Sequence, residues 1–244
     1  MSQHEIHSAT HGPLGTVRFD HSSRHNCFTE SALNDLVDAL ERSAADPAVN
    51  AIHLTMAGPT FCSGWDTREF AALAQRSPAD LEASLRATDR ALNRITSLPV
   101  PVIAAVRGQV TGFGVGLLAS LHLAVVADDA TAALPEIAYG ISPAGVLGTL
   151  LRQLPSAAAH RMLLSGLPVA ASELHAWGLV AQLAPANEVD AVAAELAHHL
   201  TRFPGAVTRT VLGAIQACHA SGTSDPAYAA AVQTLGTIGE GGTR

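Results

Sequence analysis

Between Pro101 and Pro143 the chain reads PVIAAVRGQVTGFGVGLLASLHLAVVADDATAALPEIAYGISP, and this stretch constrains the fold more than any other. Val102–Val106 is an apolar run with the length of a buried strand. Gly108, Gly112, Gly114 and Gly116 follow, interleaved with apolar residues, and lead into Leu117–Leu121. Glycine at such density lets a backbone come close to a ligand. The apolar run behind it predicts a buried helix whose first N–H groups have no partner inside the helix. A strand, a glycine turn and a helix N-terminus in that order make an anion site. The GxGxG spacing, with no acidic residue at the offset for a ribose, is not a dinucleotide fingerprint. No lysine follows the last glycine, as a phosphate loop requires.

Lysine is absent altogether, because every one of the 14 basic residues is arginine. Schiff-base lysines, lysine acids and lysine phosphate clamps are therefore excluded. The net charge of −7 argues against a nucleic-acid partner. No apolar run has the length of a membrane span, and the N-terminus has no signal-peptide pattern. Cys27, Cys62 and Cys218 have no paired spacing, which fits a reducing, cytoplasmic setting. The 12 histidines show no ligand spacing, so no metal site is expected.

Taken in order, Leu14–Asp20 predicts a strand and Thr29 opens an amphipathic helix to about Ala45. A strand over Val49–Met56 ends at the turn Ala57-Gly58-Pro59. Phe61–Phe70, FCSGWDTREF, is a glycine loop entering a helical segment. Ser77-Pro78 starts a long helix to about Ser97, with Leu81, Leu85, Ala91, Leu92 and Ile95 on its buried face. Leu123–Ala127 is a further strand. Beyond Pro143 helices dominate, over about 144–154, 157–165, 171–177, 187–202, 206–219 and 225–236, with a brief strand near Val180–Leu183. Strands alternating with helices, then a helical tail, indicate an α/β fold. The division expected is a core domain over 1–185 and a C-terminal helical region over 186–244.

Five collinear pieces resemble the crotonase superfamily of enoyl-CoA hydratases and isomerases. They are Ser23-Arg24-His25-Asn26, Phe61–Asp66, Pro101–Gly116, Leu134-Pro135-Glu136-Ile137 leading to Gly140 and Pro143, and Ala176-Trp177-Gly178-Leu179-Val180. The resemblance spans roughly 14–185. It implies a spiral core of stacked ββα turns, a C-terminal α-helical trimerisation region, and a homotrimer or hexamer. It also implies an acyl thioester substrate, on CoA or on an acyl carrier protein, with no separate cofactor. Two backbone N–H groups would hold the thioester oxygen as an enolate forms; by position these belong to Trp65 and Phe113. Preorganised amides act where charge develops in the transition state.

Several positions depart from the hydratases of that family, which work with two glutamates around a water. The first glutamate position is Gly116 here, and Glu136 matches the second. A single glutamate is shared with the dehydratases of polyketide β-branching and with enoyl isomerases. The second donor usually sits on glycine, and Phe113 replaces it. Its side chain goes into the acyl pocket, away from it, or into the core, and a positive φ there would be costly. His122 stands where relatives commonly carry aspartate, either as a cation favoured at a helix end or as a second acid–base group. Arg68 and Arg24 occupy places near the CoA nucleotide and could hold its phosphates. Gly64, Asp66, Gly112 and Gly114 are candidate substrate-contacting positions. Tyr139, Trp65, Phe70 and Leu85 are candidate walls of the acyl pocket. The resemblance implies a hydratase or dehydratase, with an enoyl isomerase and a non-catalytic scaffold as the alternatives.

Overall fold

A computed structural model describes residues 4–73 and 75–241 of the chain. The chain starts as a hairpin of β1 (Glu5–His11) and β2 (Leu14–Asp20), paired antiparallel with His11 opposite Leu14. Helix α1 (Glu30–Ala45) is capped by Thr29, whose Oγ1 accepts from Ala32 N–H at 3.1 Å. It buries Leu33, Leu36, Val37 and Leu40 along one stripe. Strand β3 (Ala51–Met56) leads through a short α2 (Phe70–Leu73) to α3 (Pro78–Thr96). Ser77 caps α3, with Pro78 at the first turn where its missing N–H costs nothing. Then come β4 (Val102–Val106), β5 (Gln109–Thr111), α4 (Phe113–Ser120), β6 (Leu123–Ala127) and β7 (Thr131–Ala133). The rest is α5 (Ala144–Gln153), α6 (Ser156–Ser165), β8 (Val169–Ala170), α7 (Ala171–Ala176), β9 (Gln182–Ala184), α8 (Val189–Leu200), α9 (Gly205–Ser221) and α10 (Asp225–Gly241).

One sheet runs β1-β2-β3-β4-β6-β9, parallel from β2 onward. Every residue of β4 is buried, as expected of a parallel strand covered on both faces. A second sheet, β5-β7-β8, aligns Val110 with Ala132. Helix α8 lies on β3, β4 and β6 and buries Val189, Ala193 and Ala197. Helices α9 and α10 pair with each other. Arg209 on α9 donates to the carbonyls of Ala44, Asp46 and Val49, and Gln216 to those of Thr96 and Leu98. Among the described residues no helix is long and apolar enough to cross a membrane.

The buried stripe of α3 is shorter than its periodicity predicts. Ala91, Leu92 and Ile95 are buried, whereas Leu81 and Leu85 remain at the surface, 37% and 36% exposed. Only the C-terminal half of the helix is enclosed by the core.

Candidate active site

Two glycines bring a loop and a helix end together. Cys62 pairs with β5: its carbonyl accepts from Thr111 N–H at 2.9 Å, and it bridges to Val110. Gly64 follows with φ +97°, and a Cβ there would lie 3.0 Å from the Thr111 carbonyl and 3.8 Å from Phe113 N. Gly112 is the N-cap of α4 with φ +57° and ψ −121°, a region essentially reserved for glycine. It provides no side-chain cap, so the first amides of α4 are left without one. Among the described residues, neither Trp65 N–H nor Phe113 N–H donates to a protein acceptor. Two unused donors thus lie on adjoining segments at a helix N-terminus.

Phe113 itself is an ordinary first residue of a helix, with no positive φ; the positive φ falls on Gly112. Its ring is 2% exposed and lies 4.7 Å from the Trp65 ring and 5.3 Å from the Phe28 ring, centroid to centroid. The side chain therefore leaves the donor site for the core.

Glu136 comes from the five-residue 3-10 helix Pro135–Tyr139, which begins at the proline. A Cβ on Gly112 would meet Glu136 Oε1 at 2.6 Å, so the carboxyl lies against the turn that opens α4. Its Oε2 is buried with no hydrogen-bond partner among the described residues. Burial pushes the carboxyl pKa up, because desolvation disfavours the charged form. A carboxyl that holds its proton more tightly than usual beside two unused amides can both give and take a proton.

Gly116, one turn further along α4, has no room for a side chain. A Cβ there would lie 2.3 Å from Val146 Cγ1 and 3.2 Å from Leu92 Cδ1. Val146 and Leu92 are buried and apolar, and no short sequence pattern pairs either with Gly116. Gly114 serves packing as well: a Cβ would meet Cys62 Cβ and its carbonyl oxygen at 2.9 Å. Cys62 Sγ accepts from Gly64 N–H at 3.4 Å, and burial pushes the thiol up to about 12, which leaves no thiolate for nucleophilic work.

Arg24 and Arg68 are brought together by Asp66. Arg68 Nε donates to Oδ1 and Oδ2 at 3.0 and 3.1 Å, and Arg24 Nη2 donates to Oδ1 at 3.2 Å. Asp66 is 3% exposed, and the Arg68 hydrogen bond draws its pKa down to about 2. Glu69 lies within electrostatic reach of the same pair, Arg68 and Asp66. The loop before it is buckled: His25 and Asn26 both have φ +52°, and Asn26 Nδ2 donates to the carbonyls of Ala57 and Thr60 at 2.7 Å.

Tyr139 is 77% exposed and Leu85 lies at the surface of this chain. The side chain of Phe70 lies outside the described residues. His122 is neither a cation at a helix end nor a free acid–base group. Its Nδ1 accepts from Val102 N–H at 3.1 Å, so the proton is on Nε2, which donates to the Thr96 carbonyl at 3.2 Å. Burial holds its pKa below the ordinary imidazole value. It pins β4 to the end of α3.

Residues 10–236 match the enoyl-CoA hydratase/isomerase family. The carnitinyl-CoA dehydratase of Proteus mirabilis is 32% identical over 203 residues, 82% of this chain and 75% of that protein. The 2,3-dehydroadipyl-CoA hydratase of Escherichia coli is 32% identical over 179 residues, 72% and 68% of the two chains. The crystal structure of an enoyl-CoA hydratase from Mycobacterium smegmatis superposes with a TM-score of 0.86 at 26% identity, over 96% of this chain and 90% of the other.

Proposed function

The chain belongs to the enoyl-CoA hydratase/isomerase family, and from that premise we propose that it is a hydratase- or dehydratase-type lyase acting on acyl thioesters of CoA. The observation that carries this reading is the Glu136 carboxyl, unpartnered at Oε2 among the described residues and lying against Gly112, the residue before the unused Phe113 amide. In the dehydration direction the Glu136 carboxylate takes the proton from the carbon next to the thioester. The C–H electron pair moves onto the carbonyl oxygen, and the two amides hold the enolate. The enolate then re-forms the carbonyl, the double bond forms, and the β C–O bond breaks. The departing hydroxyl takes the proton from Glu136 and leaves as water. Hydration is the reverse, with Glu136 activating water.

Glu136→Gln keeps the shape and removes the titratable proton. Its kcat on a 3-hydroxyacyl-CoA or 2-enoyl-CoA should fall by about 10²–10⁴-fold, with the melting temperature near the parent's. Parent-like turnover would overturn the assignment. If parent and variant both bind thioesters and neither turns them over, a non-catalytic scaffold is the better description.

A second reading, double-bond isomerisation, is favoured by the closed space at Gly116. Val146 and Leu92 leave Glu136 without a second carboxylate from that position. The same proton shuttle would return the proton to the γ-carbon. Incorporation of ¹⁸O from labelled water into product separates the two, since isomerisation takes up none. A carrier-protein thioester is a finer reading of the substrate. Asp66 offsets one of two guanidinium charges, which suits a pantetheine lacking adenosine phosphates.

A further inference from the structure

The side chains of the two donor residues touch each other, although donation needs only their backbones. The Trp65 and Phe113 rings stack with centroids 4.7 Å apart and planes inclined by 25°. The row continues from Phe113 to Phe28 at 5.3 Å and from Phe28 to Phe19 at 4.5 Å. Any residue other than proline at these positions would supply the amides, so the rings need another explanation. Trp65 sits on the loop after Cys62, and Phe113 starts α4. The backbone tie between those segments is the pairing of Cys62 with β5, and it ends before either donor. Beyond it, each donor is preceded by a glycine with positive φ, Gly64 or Gly112. Glycine is the least restrained residue type. Backbone hydrogen bonds hold each segment to a third one, Gly64 and Asp66 to Phe28 and Gly112 to Ala133, whereas the ring contact links the two donor residues to each other, at a separation aromatic pairs favour.

We propose that the Trp65–Phe113 stack is a positioning element that fixes the spacing of the two amides around the thioester oxygen. This rests on the acyl-thioester reading above. Such donors work only within hydrogen-bond distance of the developing oxyanion. A displacement of about 1 Å in a catalytic group can cost ~10²-fold in rate. Phe28 lies against the Phe113 ring, whereas Phe19 touches only Phe28 and neither ring of the stack. Phe28 also fixes the loop directly, since its N–H donates to the Gly64 carbonyl at 2.9 Å and its carbonyl accepts from Asp66 N–H at 2.7 Å.

The test combines kinetics with difference infrared spectroscopy of bound butanoyl-CoA carrying ¹³C at the carbonyl. This thioester is saturated and does not react. The parent should shift the carbonyl stretch to lower frequency. Trp65→Leu and Phe113→Leu should each reduce that shift and lower kcat by about 10–100-fold, with KM changed much less. The double variant should be little worse than the poorer single one, because each removes the same contact. Trp65→Phe keeps a ring and should retain most of the shift. Phe19→Leu removes a ring of the same row away from the amides and should leave shift and kcat unchanged. If Phe113→Leu does not fold, Trp65→Leu, at a partly exposed position, carries the test alone. Leucine variants with the parent's shift and kcat would overturn the stack's role and leave the thioester reading standing. A parent that shows neither shift nor turnover would overturn both.

Discussion

A methyl group added at Gly112 would meet Glu136 Oε1 at 2.6 Å, on a backbone with φ +57° and ψ −121° that L-residues avoid. Gly112→Ala should therefore lose about 1–3 kcal/mol of stability to backbone strain and also lose activity, because Glu136 must move. Gly222→Ala separates the two effects. Gly222 closes α9 with φ +69° and nothing within 4 Å, so only the left-handed penalty of about 1 kcal/mol applies and kcat stays at the parent value. Urea unfolding and steady-state kinetics on both variants check this, and a fully active Gly112→Ala would remove Glu136 from the reaction. Gly112, Trp65 and Glu136 were legible because each lies in a short motif that reads locally. The fate of the Phe113 ring was not, because it depends on a loop much earlier in the chain. His122 was misread for the same reason: its two partners, Val102 and Thr96, belong to other elements.

Packing between α4 and α5 leads to an expectation at the scale of elements. Gly116 in mid-helix costs about 1 kcal/mol relative to alanine, yet a Cβ there would lie 2.3 Å from Val146 Cγ1. Gly116→Ala alone should destabilise by about 1–3 kcal/mol through overpacking. In a Val146→Gly background, which also removes the Val146 Cβ that would lie 2.8 Å away, the same change should become neutral or stabilising, since helix propensity then acts without that clash. The sign reversal is read from chemical denaturation of the four proteins, and its absence would mean that α5 does not close over Gly116. Long helices were legible from their periodicity and caps, with α1 and α3 starting beside Thr29 and Ser77 as the sequence indicates. Strand β1 was missed: six of its seven residues are exposed, so no burial pattern marks it. Strands β5 and β7, three residues each, are too short to show a period.

For the whole molecule, the sequence conveyed the α/β class and the helical tail but not how the tail is covered. Val211, Ile215, Tyr228, Val232 and Leu235 on α9 and α10 are between 47% and 72% exposed. Burial of such a face between copies is the expected outcome, so light scattering at micromolar concentration should return a trimer or hexamer, and a monomer would count against it. Acid sensitivity is the second molecule-wide property. His122 and His53 both titrate below the ordinary value of 6.5 because burial disfavours their charged forms. As pH falls below about 6.5 the unfolded chain takes up protons that the folded chain refuses, so stability declines with falling pH until the folded-state values are passed. Each refused proton contributes a slope of about 1.4 kcal/mol per pH unit. Glu136 works in the opposite direction: its raised pKa means that the folded chain keeps a proton above 4.5, which favours folding as pH falls through that window. Asp66, held at about 2, adds its loss only below 3.8. In the parent, the histidine slope is therefore opposed by Glu136 as pH falls towards 4.5. In Glu136→Gln that opposition is gone, and unfolding free energies measured as pH falls towards 4.5 should fall more steeply than in the parent. Equal slopes would mean that the Glu136 carboxyl is ionised in the folded protein throughout that range.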